Sequence, residues 1–131
     1  MRGKYMYCSN AIQLSQDGRT LFNSTRGWNN TEANGWVAAF ALTDDGGLCE
    51  EEALVFYMAP LTLGSAGGLR VAFWEDETYS DPNGLTDYMY LSDTSQGLMY
   101  ILGWAPSNKT LTEVAVYQYD NSTPYEGVWL D

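Results

Sequence analysis

In a chain with 17 acidic and only 6 basic side chains, an arginine placed away from the termini and turns is a candidate for binding. Arg26, in "NSTRGWNN", follows a strand-like run and precedes Gly27, which predicts a place at a strand mouth. A guanidinium presents a planar fork of donors that can hold a carboxylate through two hydrogen bonds. The competing role is an ion pair with Glu32 or another nearby acid. Arg70, in "LRVAFWE", is a second candidate anion contact, with Glu75 as its structural alternative. Asn10 opens the first strand-like run, where a turn or cap role competes with ligand contact. Trp28 follows Arg26 closely enough to shape a pocket rim, whereas Trp36 and Trp104 read as packing residues.

Other chemistry is excluded more firmly. The chain has no histidine, which removes His-based acid–base catalysis, Ser-His-Asp and Cys-His nucleophiles, and nearly all zinc sites. The acids at Asp44–Asp45 and Glu50–Glu52 lack the alternating ligand pattern of a calcium loop and read as a solvated turn and outer strand. "GSAGG" lacks the Lys-Ser/Thr of a phosphate-binding loop. No metal or cofactor is expected. Asp93 is a candidate acid at a channel mouth. Cys8 and Cys49 both fall in expected strands, and two free buried thiols are preferred to a disulfide.

The net charge of −11 disfavours nucleic acid and anionic membrane surfaces as partners. No apolar run approaches the roughly 20 residues that span a bilayer, and "MRGKYMYCSN" is too polar for a signal peptide. A cytoplasmic location is therefore favoured. N-glycosylation sequons at Asn23, Asn29, Asn108 and Asn121 leave secretion open.

The elements that must position these residues are strands. Alternating or apolar runs at 10–15, 20–25, 35–43 and 48–58 are separated by Asp-Gly turns at 16–19 and 44–47 and by a polar loop. The three glutamates at 50–52 leave a short helix as the alternative for 48–58. After a small-residue linker at 60–68 the order repeats, with runs at 69–75, 87–93, 97–105 and 111–119. "YEGVWLD", 125–131, reads as one more short strand. Gly35 recurs at Gly97, 62 residues later, and Leu21 at Tyr88, 67 residues later.

A repeat of four short antiparallel strands is the pattern of a β-propeller blade. The expected fold is all-β: blades over 1–58 and 59–124, a closing strand over 125–131, and together an incomplete propeller. Two blades cannot close a ring, since propellers typically have about 4–8. Each end must then expose an apolar blade face, which predicts self-association.

"NAIQLSQDGRTLFNSTRGWNN" with "GWVAAFALTDDGGL" resembles the penultimate blade region of fungal carboxy-cis,cis-muconate cyclase, the 3-carboxymuconate lactonizing enzyme. That family shares a seven-bladed propeller with the 6-phosphogluconolactonase-like proteins. "LTLGSAGGLRVAF", "YMYLSDTSQGLMYILGW" and "GVWLD" resemble the segments that follow, in order. The resemblance covers nearly the whole chain but only about the last third of the family's length. It implies that the arginine matched by Arg26 points into the central channel and binds substrate carboxylates. It also implies a histidine, an arginine and a glutamate on earlier blades, for which this chain has no counterpart. The sequence departs from the family at "GGLRV", where Leu69 and Arg70 replace smaller or polar residues.

The expected function is thus the C-terminal portion of a lactonizing propeller that acts on a small carboxylate, inactive as an isolated chain. Lactonization needs carboxylate positioning, charge neutralisation and a proton donor, and Arg26 supplies only the first two. The alternative is a non-enzymatic ligand-binding or structural module whose copies complete a propeller.

Overall fold

The computed structural model of the chain describes residues 7–27, 35–49, 55–58, 66–72, 81–93 and 96–119. These residues form eight strands: β1 (Tyr7–Leu14), β2 (Thr20–Gly27), β3 (Trp36–Ala41), β4 (Val55–Met58), β5 (Ala66–Val71), β6 (Asp87–Asp93), β7 (Leu98–Ala105) and β8 (Thr110–Gln118). They make two antiparallel four-stranded sheets in simple meander order, β1-β2-β3-β4 and β5-β6-β7-β8.

Local chemistry explains the tight turns. In the first, Gly18 adopts φ 71°, a conformation that costs an ordinary L-residue about 1–2 kcal/mol. Asp17 Oδ1 accepts from the Ser15 hydroxyl at 2.6 Å and from Arg19 N at 2.9 Å, which closes the turn. Gly46 and Gly84 take the same left-handed form in "DDGG" and "DPNG". Arg19 meets Asp44 at 3.7 Å with both side chains in solvent, an ion pair of little energetic weight.

The two sheets stack face to face. β5 packs on β1 and β2, and β4 lies beside β8. Phe22, Val37 and Ala39 of the first sheet form one core with Val71, Met89, Tyr100, Leu102 and Trp104 of the second. Phe22 and Trp104 meet edge to face across it, with centroids 5.7 Å apart and planes at 81°. Polar contacts from Gln16 tie the sheets at the rim, its side-chain amide donating to Thr86 O at 3.4 Å. The buried Asp87 carboxylate accepts from the Gln16 amide at 2.7 Å and from the Thr86 hydroxyl at 2.8 Å.

Several boundaries differ from expectation. β2 runs on through Arg26 to Gly27, so Arg26 lies within a strand, opposite Cys8, and not after it. β1 begins at Tyr7, which puts Asn10 inside the strand and not at its start. β5 begins at Ala66 within the supposed linker. Both first strands carry a bulge, between Ser9 and Ala11 and between Ala66 and Leu69. In each, a buried serine on the second strand accepts the displaced amide: Ala11 N to Ser24 Oγ at 3.2 Å, and Gly68 N to Ser92 Oγ at 2.8 Å. The matching serines show that Phe22 corresponds to Tyr90, and Leu21 to Met89 instead of Tyr88. Such a one-residue shift exchanges the two faces of the strand.

Residues 48–58 contribute a bridge from Leu48 to Leu42 and then β4; residues 50–54 lie outside the described part, as does the expected strand 125–131. Cys49 is a free thiol and exposed, not buried, because it sits at a bend just past that bridge.

Candidate functional site

Among the described residues, two places present polar groups that a ligand could meet. The first is the rim where β2 ends. Side chains alternate along β2, so Arg26 shares the face of Phe22 and Ser24, which is the face turned toward the second sheet. Phe22 and Ser24 are fully buried, while Arg26 is exposed. The guanidinium therefore belongs to the gap between the sheets, at its open end. β6 ends at the same rim with Asp93. This acid is fully buried, and its Oδ1 accepts from Gln96 N at 3.2 Å. It supports the turn into β7, which corrects the expectation of an acid at an open channel mouth.

The second place is a shallow groove of about 520 Å³ at the opposite rim, on the far face of the second sheet. Asp81, Asn83, Leu85, Tyr88, Thr112 and Val114 contribute to it. Tyr88 Oη donates to Asp81 Oδ2 at 2.5 Å, and Asn83 N donates to Asp81 Oδ1 at 2.7 Å. These bonds, the tyrosine's foremost, hold the Asp81 carboxyl below the usual aspartate range. Gly103 leaves room for this arrangement, since a Cβ there would lie 2.7 Å from Leu85 Cδ1. Sequence reasoning passed over this groove; the "DPNG" turn beside a tyrosine-rich strand was its only signal.

The structure does not bring the candidate residues together. Arg70 is exposed and lies between Leu69 and Val71, both of which are buried against the first sheet. Alternation therefore puts Arg70 on the far face of the second sheet, away from Arg26. Asn10 is exposed at the β1 bulge, where it has no cross-strand partner in the ladder. Trp28, Glu32 and Glu75 lie outside the described residues. Of the sequons, Asn23 spends its amide on Ser9 Oγ at 2.6 Å and Ala11 O at 3.2 Å, whereas Asn108 is exposed in the β7–β8 turn.

Stacked four-stranded meanders joined in sequence define part of a β-propeller. Two solved structures share this fold with the chain. A periplasmic gluconolactonase from Pseudomonas aeruginosa matches with a TM-score of 0.57 at 15% identity, over 94% of this chain and 29% of that one. A protein from Lactobacillus plantarum matches with a TM-score of 0.51 at 18% identity, over 95% of this chain and 30% of that one. The chain thus spans less than a third of the length of these structures. No protein-family description and no curated protein sequence matches it.

Proposed function

We propose that the chain is the C-terminal portion of a lactone-forming propeller of the muconate-cyclase kind, in which Arg26 binds a substrate carboxylate. The observation that carries this reading is the position of Arg26: an exposed guanidinium in the inter-sheet gap, at one rim of two stacked blades. The gluconolactonase likeness supports lactone chemistry as the setting. An arginine at such a rim can fix a carboxylate in two hydrogen bonds and neutralise its charge.

The same reading makes the isolated chain inactive. It has no histidine, and the described acid nearest along the rim, Asp93, is buried in a turn-supporting role. Cyclisation also requires a group placed to deliver a proton, which belongs on blades other than these two. Calorimetric titration of 3-carboxy-cis,cis-muconate into the 131-residue chain tests the binding part. Weak binding is expected, with a loss of about tenfold or more in Arg26→Ala. Equal binding by both proteins refutes the clamp. A spectrophotometric assay tests the inactivity, and measurable turnover by the isolated chain overturns it.

A further inference from the structure

The turn that leads into β6 carries a reactive pair of residues. Asn83 is followed by Gly84, and both are exposed. The backbone nitrogen after an asparagine can attack its side-chain carboxamide and close a five-membered ring. A Cβ on the attacking residue hinders this step, and glycine has none. Gly84 also has room around it. It takes φ 74°, and beyond its chain neighbours the nearest heavy atom to a Cβ built there is Ser107 Oγ, at 3.8 Å. The other described asparagines differ. Asn10 precedes Ala11, Asn23 precedes Ser24 and Asn108 precedes Lys109, so each faces a more shielded nitrogen. Asn23 also spends its carboxamide on Ser9 Oγ and Ala11 O. The second Asn-Gly pair of the chain begins at Asn34, outside the described residues.

Asp81 holds both reacting groups. Its carbonyl oxygen accepts from Gly84 N, the attacking nitrogen, at 3.0 Å. Its carboxylate Oδ1 accepts from Asn83 N at 2.7 Å. After the Tyr88 hydroxyl and that amide, the Asn83 carboxamide makes a smaller contribution to holding Asp81 ionised. The Tyr88 hydroxyl, on Oδ2, ties the turn back to β6.

We propose that Asn83 is a site of spontaneous deamidation, and that the Asp81 turn sets its rate. While the turn is closed, the Gly84 N–H is committed to Asp81 O. When it opens, Gly84 N loses its proton to water or hydroxide and bonds to Asn83 Cγ. The carboxamide nitrogen takes up a proton and leaves as ammonia, which gives a succinimide. Water then opens the ring at either carbonyl, to aspartate or to isoaspartate. Nothing is oxidised or reduced, and water is the one co-reactant. Either product puts a carboxylate where a neutral amide stood, in the groove that already holds Asp81 and Glu113. The isoaspartate also adds a methylene to the backbone of the turn. Both changes work against the Asp81 bonds, so conversion loosens the groove in which it occurs.

Incubation of the 131-residue chain in mildly alkaline buffer, followed by peptide mapping with mass spectrometry, reads the outcome. The signal is the small mass gain when NH₂ is replaced by OH, with aspartate and isoaspartate peptides separated by chromatography. Conversion at Asn83 with isoaspartate among the products is expected, ahead of Asn10, Asn23 and Asn108. Asp81→Ala is expected to convert about tenfold faster or more, through loss of the charge-assisted hydrogen bonds. Tyr88→Phe keeps the carboxylate and is expected to fall between the two. Asn83→Gln is expected to abolish the signal in this peptide. An unconverted Asn83, a product without isoaspartate, or faster conversion at another described asparagine overturns the site. Equal rates in the wild type and Asp81→Ala overturn control by the turn. Circular dichroism checks folding. Where Asp81→Ala loses its spectrum, Tyr88→Phe carries the comparison, and a rate equal to that of the wild type overturns the same point.

Discussion

A short polar constellation sets the behaviour of the groove at the far rim. Asp81 accepts from the Tyr88 hydroxyl and from Asn83 N, and both bonds favour the ionised carboxylate. A folded value below the unfolded one adds stability above the ordinary aspartate pKa, and that stability is lost as the pH falls through the lower folded value. The turn is therefore expected to hold its form at neutral pH and to loosen only below about pH 4. Tyr88→Phe removes the larger cause and should move the Asp81 titration up toward the ordinary range. Carboxyl-carbon NMR across an acid titration checks this, and an unmoved midpoint rules the tyrosine out. Arg26 stands apart from this network, on the first sheet and at the other rim, so its binding role can be tested independently.

Each first strand is a bulged strand whose spare amide is received by a serine. Ser24 and Ser92 are both fully buried, so each removes a donor that water does not reach. Ser92→Ala leaves the Gly68 amide without this acceptor and is expected to cost about 1–3 kcal/mol in urea unfolding. Ser24→Ala should cost a similar amount through the Ala11 amide. A loss below about 0.3 kcal/mol in both would mean that the bulges are held by the ladder alone. Most strands were legible in the sequence because Asp-Gly and Asn-Gly turns punctuate them, and turn chemistry is local. β6 matches its expected span in full. The bulges were not legible, since each falls in a polar or small-residue stretch ahead of the strand's apolar residues, where there is no alternation to break. The repeat register of β2 and β6 was hidden separately: the serines that receive the bulge amides, Ser24 and Ser92, match Leu21 to Met89, whereas Tyr88 lies on the opposite face.

The described residues stack two sheets deep, and burial follows a residue's place in the stack more than its type. Leu14 and Val71 occupy the same repeat position, at 47% and 1% exposure. Val71→Ala is expected to cost about 1–3 kcal/mol, whereas Leu14→Ala should stay within about 0.5 kcal/mol in the monomer. Denaturant melts at low protein concentration decide this. Equal costs would show that something already covers the outer face of the first sheet.

The sequence by itself determined the all-β class, the four-strand repeat, the turns, and the removal of histidine chemistry. All of these rest on composition or on contacts a few residues apart. It also singled out Arg26 and Arg70, each as a candidate anion contact. Only the tertiary structure decided that Arg26 of the first sheet turns into the gap between the sheets while Arg70 lies on the far face of the second, because a side chain's face depends on which neighbours its strand buries. It likewise decided that one copy of an apolar face is core and the other is open surface. That difference is absent from the residues themselves, since it depends on which sheet stands next to which.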